Sequence, residues 1–142
     1  MAGSNTYDNY RHQSDVCHAY RLVSEKGGIP KENIVTFMFN DIAENERNPV
    51  KGNIINHPNG TNNWPFVKDN IDYQGKAVNP MNILAALSGD KEGIDCLGTE
   101  CSNKVIESTA EDTIFFYFAD HGAPGLIAMP TGRYAQFSVA CR

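Results

Sequence analysis

Two short apolar runs constrain this chain more than anything else in it. Ile34-Val-Thr-Phe-Met-Phe39 and Thr113-Ile-Phe-Phe-Tyr-Phe118 are rich in β-branched and aromatic residues and almost continuously apolar. A strand with one wet face alternates apolar and polar residues, whereas a strand covered on both faces does not. Helical patterns accompany the two runs. Over residues 12–26, Val16, Ala19, Tyr20 and Val23 share one face, and Asp15, Arg21 and Glu25 fall elsewhere. Gly27-Gly28 and Ile29-Pro30 end that helix. Asn79 and Pro80 read as N-cap and first position of a second helix, with Met81, Ile83, Leu84 and Leu87 as its apolar side and Gly89 as its stop. Helices around doubly buried strands predict an α/β fold with a mainly parallel sheet and helices on its faces.

The rest of the chain is more polar. Residues 40–78 hold turn signals at Asn48-Pro49, Pro58-Asn59-Gly60 and Asn62-Asn63. That is long for a structureless loop, so short strands or a function are expected within it. Leu126 to Met129 reads as a short strand and Pro130-Thr131-Gly132 as a turn. The 142 residues suit one domain.

A formal charge of -5 and a pI near 5.3 argue against a nucleic-acid partner, which needs a basic face. No apolar stretch approaches the roughly 20 residues of a membrane span. The start, Met-Ala-Gly-Ser-Asn5, carries no signal-peptide pattern, yet Asn59-Gly60-Thr61 is an N-glycosylation sequon. Cys96 and Cys101 flank a turn-like Leu-Gly-Thr-Glu loop that a local disulfide could close; two free thiols is the alternative. Cys17 reads as a small core residue. Neither the cysteine spacing nor that of the four histidines matches a metal site, so no metal and no cofactor is expected.

Chemistry concentrates where the second apolar run ends. In parallel sheets, ligand sites gather at the carboxyl ends of strands, and Asp120-His121-Gly122 stands there. A histidine leaving a buried strand into a glycine-rich loop is held firmly with one edge exposed, which suits a general acid or base. The N–H of Gly122 could donate to a developing oxyanion. The plainer alternative is a histidine that merely closes a strand, with Asp120 a surface carboxylate beside it. Asn9-Tyr10-Arg11-His12 opens the first helix. Arg11 suits carbonyl or carboxylate recognition, and Asn9 can orient an imidazole. A helix-start cluster capped by Asn9 or Asp8 explains the same residues.

Taken in order, the segments Ala2-Gly-Ser-Asn5, Asn9-Tyr-Arg-His-Gln13, Asp15-Val-Cys-His-Ala-Tyr20, Gly52-Asn-Ile-Ile-Asn56, Pro58-Asn-Gly-Thr61 and Asp120-His-Gly122 resemble the legumain family, the asparaginyl endopeptidases or vacuolar processing enzymes. The resemblance covers roughly residues 2–131. It implies a caspase-like three-layer α/β sandwich, here truncated at both ends. It implies that His121 is the histidine of a Cys–His dyad, supported by Asn9, with Gly122 in the oxyanion hole. Arg11 and His12 would line the pocket for the substrate's Asn, and Asp120 would match an aspartate able to form a succinimide. The substrates would be peptides or proteins cleaved after Asn, and more weakly after Asp, in a lysosomal, vacuolar or other secretory compartment.

One departure matters. The family nucleophile sits in a Glu-Ala-Cys-Glu-Ser-Gly-like motif a few dozen residues past the histidine, and only Cys141, in Val139-Ala-Cys-Arg142, follows His121 here. A free thiol near a terminus is the plainer reading of Cys141. Residues 1–131 are therefore expected to form a partial catalytic domain and 132–142 a divergent tail. The main expectation is a cysteine-type endopeptidase chain that is inactive by itself for want of a nucleophile. The rivals are a non-enzymatic truncated paralogue that binds peptides or a protease partner, and a catalytic subunit like that of the GPI transamidase.

Overall fold

The computed structural model describes residues 1–57, 63–65, 70–124, 126–131 and 135–136. A 3-10 turn, Tyr7–Asn9, leads into helix α1, Tyr10–Arg21, and a π turn at Leu22–Lys26 extends it. The hairpin β1 (Asn53–Ile55) and β2 (Asn63–Pro65) pairs Ile54 with Trp64, antiparallel, within the polar 40–78 stretch. Helix α2 spans Pro80–Ser88. Three two-residue strands follow, β3 (Gly122–Ala123), β4 (Leu126–Ile127) and β5 (Ala135–Gln136), in one antiparallel sheet.

Helix α2 starts and stops for reasons written in its residues. The Oδ1 of Asn79 accepts the Asn82 backbone N–H at 3.0 Å, Pro80 occupies the first helical position, and Gly89 closes α2 in the left-handed region at φ 75°. The burial on α2 differs from the sequence pattern. Met81 and Leu84 are exposed, while Ile83, Ala85 and Ala86 are buried together with Asn82. Asn82 takes an inward position because its side chain is fully bonded. It donates to the carbonyls of Ala77 and Asp95, and its Oδ1 accepts the Asp95 N–H.

The centre of the molecule is a set of parallel backbone contacts. Ala2 bridges Ala119 in parallel and donates its N–H to Phe37, and Phe37 bridges Tyr73 in parallel. Tyr73 bridges Cys101 in the antiparallel sense. Successive side chains along these segments enter opposite clusters. Ala2, Met38 and Ala119 pack with Val16 and Cys17 of α1. Met1, Phe37, Tyr73 and Phe118 pack with Ile83 and Ala86 of α2. Phe37 and Tyr73 stack with ring centroids 4.1 Å apart.

Of the two strands expected at 34–39 and 113–118, the first is reduced to the bridge at Phe37 and the second has none, the nearest bridge falling just past it at Ala119. The larger difference lies at 113–117, which was expected to be covered on both faces. Phe115 is 77 % exposed and Ile114 47 %. On that edge the Tyr117 carbonyl accepts from the Met1 ammonium at 2.7 Å. An open cavity of about 520 Å³ remains alongside, lined by Met1, Tyr20, Phe37, Ile83, Leu87 and Phe116 among others. Among the described residues, no helix is long and apolar enough to cross a membrane.

Cys96 and Cys101 form a disulfide with Cα atoms 5.7 Å apart. Cys17 is a buried free thiol pushed up to about 12 by burial, which removes it as a nucleophile at ordinary pH.

Candidate functional site

Ala2 and Ala119 pair side by side, so the residues leaving these segments, Gly3–Asn9 and Asp120–Ala123, emerge together. Close approach is possible because residue 3 is glycine. A Cβ there would stand 2.5 Å from Phe118 Cζ, 2.6 Å from Asp120 Oδ2 and 2.8 Å from the Ala128 carbonyl. The loop from Ser4 to Asn9 is then anchored by Asp41. Its carboxylate accepts the Thr6 N–H and the Gln13 side-chain amide, both at 2.6 Å. Thr6 adopts φ 68°, a strained conformation for a β-branched residue, next to the site.

Asn9 is the N-cap residue of α1 by position, but its side chain makes no cap hydrogen bond. It is used elsewhere. Its Nδ2 donates to the Asn5 carbonyl at 3.0 Å, which turns Oδ1 toward His121 Nε2 at 2.9 Å. An amide oxygen accepts, so Nε2 carries a proton in this contact. Arg11 Nη2 lies 3.5 Å from the same Nε2. A guanidinium cannot donate to a protonated nitrogen, so the shorter Asn9 bond sets the tautomer and Arg11 stands beside the ring as a charge.

His12 lies behind His121, edge to face, with ring centroids 4.8 Å apart. Unlike His121 it is buried, and its Nδ1 meets Ser4 Oγ at 2.7 Å. Burial and the neighbouring Arg11 hold its pKa below the usual histidine value, favouring the neutral ring that accepts from Ser4. Asp120 Oδ1 is 3.2 Å from the same nitrogen, yet neither Asp120 oxygen has a hydrogen-bond partner, and the side chain is 0 % exposed. Asp120 is therefore no surface carboxylate but an orphaned buried one. Gly122 pairs with Ile127, and the Ala128 N–H donates to the His121 carbonyl. The antiparallel ladder alternates, so this places Gly122 at a non-hydrogen-bonded position with its N–H directed away from β4.

The tertiary structure thus brings Asn9, Arg11, His12, Asp120, His121 and Gly122 into one cluster. It adds Ser4, Asn5 and Asp41, to which the sequence reading gave no role of their own. Asn59 and Cys141 lie outside the described residues.

An exposed imidazole bonded to a side-chain amide, a guanidinium beside it and a glycine amide directed away from its partner strand are groups that could do acid–base work on a carbonyl. The chain matches the peptidase C13 family over residues 1–139. It is 51% identical over 138 residues to "Vacuolar-processing enzyme" of Vicia sativa, covering 97% of this chain and 27% of that one. It is 49% identical over 134 residues to "Legumain" of Canavalia ensiformis, covering 94% and 27%. It is 48% identical over 130 residues to "Legumain" of Rattus norvegicus, covering 92% and 28%. The chain belongs to the peptidase C13 family of legumains and vacuolar-processing enzymes. It spans about a quarter of the length of these relatives.

Proposed function

We propose that these residues form the histidine half of a cysteine-type endopeptidase that cleaves after Asn and more weakly after Asp. The observation that carries this reading is the 2.9 Å contact between Asn9 Oδ1 and His121 Nε2. It leaves Nδ1 as the nitrogen that takes a thiol proton and returns it to the leaving amine. A thiolate attacks the scissile carbonyl, and the outward N–H of Gly122 donates to the oxyanion as it forms. Arg11 and His12 receive the substrate's side-chain amide, the guanidinium donating to its oxygen. Asp120, its carboxylate buried and without a hydrogen-bond partner, is the candidate for succinimide formation.

The fold in this reading is a caspase-like three-layer sandwich, supported by the two clusters on opposite sides of the parallel contacts, one built with α1 and one with α2. The compartment is vacuolar or lysosomal, in keeping with the relatives' names and with a disulfide, which persists where conditions oxidise thiols. The 142-residue polypeptide by itself is inactive, because Cys141 lacks the acidic flanks of the family nucleophile and Cys17 is buried. The test is turnover of a fluorogenic peptide ending in Asn at acidic pH. No turnover is expected from this polypeptide. Turnover abolished by a thiol alkylator would overturn the inactivity.

A further inference from the structure

We propose that His12, Asp120 and His121 form a binding site for a transition-metal dication of the Zn²⁺ type, separate from any catalytic requirement. One ligand atom from each of the three lies within 4.8 Å of the others. Two imidazoles and one carboxylate are the donor set that suits Zn²⁺ and its first-row neighbours, while Mg²⁺ and Ca²⁺ prefer all-oxygen surroundings.

The independent sign is the state of Asp120. Its carboxylate is completely buried, and neither oxygen receives a hydrogen bond. A buried anion without donors is costly, and a coordinated cation removes that cost. The nearest group to it is His12 Nδ1 at 3.2 Å, a spacing close to that of two ligands on one tetrahedral ion with bonds of about 2.0–2.1 Å. His121 is exposed and supplies both the entry path and the adjustable arm. The widest spacing among the three ligand atoms, up to 4.8 Å, has to close by about 1.5 Å to reach the tetrahedral value. Asn9 Oδ1, on His121 Nε2, acts as the outer partner that fixes a metal-bound ring. Arg11 opposes binding electrostatically, so the site is tuned to moderate affinity and reversible occupancy. The fourth position would be left to water. Any occupancy takes the lone pair of His121 and masks the site.

The experiment is a Zn²⁺ titration of the 142-residue chain carrying Phe115→Lys, which covers the exposed apolar run, and Cys141→Ser, which removes the C-terminal thiol. One Zn²⁺ per chain is expected by calorimetry, with Mg²⁺ and Ca²⁺ not competing. Asp120→Asn and His12→Gln should each weaken binding by about tenfold or more. Equal affinity in Asp120→Asn, or loss of all binding with Cys141→Ser alone, overturns the site. Nitrogen NMR of the Phe115→Lys chain, with the site residues unsubstituted, answers without relying on site variants that fold. Zn²⁺ should shift the ring nitrogens of His12 and His121, and shifts confined to His18 and His57 refute the proposal. Binding is read without substrate, so the result stands apart from the protease reading.

Discussion

Asn9 and His121 are 112 residues apart in sequence and 2.9 Å apart in space, Oδ1 to Nε2. The helix-capping residue of α1 has given up its cap to orient an imidazole. Asn9→Ala, placed in the longer protease, removes that acceptor and frees the ring to change tautomer. The expected outcome is a fall in kcat of about ten- to a hundredfold with little change in KM. Nitrogen NMR of the imidazole should show mixed tautomers where the parent shows Nε2–H. An unchanged rate and tautomer would remove Asn9 from the positioning role.

Asp120 and Phe118 occupy the space that a Cβ at Gly3 would need. Gly3→Ala forces a Cβ into both side chains and the Ala128 backbone. About 1–3 kcal/mol of destabilisation is expected from such overpacking. Urea unfolding measures it, and an unchanged midpoint would show that the segment shifts freely.

Thr6 holds φ 68° with no Cβ-compatible reason to do so, except that its N–H is committed to Asp41. Thr6→Gly relieves the strain, partly offset by the greater freedom of glycine in the unfolded chain. A net gain of about 1 kcal/mol is expected. A lower melting temperature for the glycine variant would contradict the argument.

The Met1 ammonium is buried against Tyr117, and burial lowers its pKa from 8.0 to about 5. Between these values the unfolded chain holds a proton that the folded chain does not. Stability from this group is therefore present above pH 8 and is lost as pH falls toward 5. The full loss is on the order of 4 kcal/mol. Acetylating the amine keeps one N–H for Tyr117 and removes the titration. The acetylated chain should show a flatter stability profile between pH 8 and 5, and identical profiles would refute the assignment.

Ile114, Phe115, Phe116 and Tyr117 are exposed in sequence, beside an apolar cavity. Unpaired apolar backbone of this kind pairs with other chains. The chain expressed alone should aggregate, and Phe115→Lys should raise the monomer fraction about severalfold in size-exclusion chromatography. Monodisperse parent protein at the same concentration would count against it.

The boundaries of α2 were legible because capping is local: Asn79, Pro80 and Gly89 act within one turn of themselves. The family order of Asn9, Arg11, His12 and His121 was legible for the same reason, as short segments read one at a time. The hairpin within 40–78 was foreseen only as a need for short strands. Three things were decided by the tertiary structure. Asp120 looked like a surface carboxylate and is buried without a donor, because Gly3 lets the first segment close over it. The run at 113–118 looked buried and is open, because burial of a strand depends on a neighbour its own residues do not encode. The histidine spacing argued against a metal cluster, yet His12 and His121 meet from opposite parts of the chain. Propensity and capping act between residues a few positions apart, so the sequence by itself determined the helices, their ends and the chemical inventory. Which side chains face one another, and which charge is left without a partner, follows from contacts between distant segments, and only the folded chain decides it.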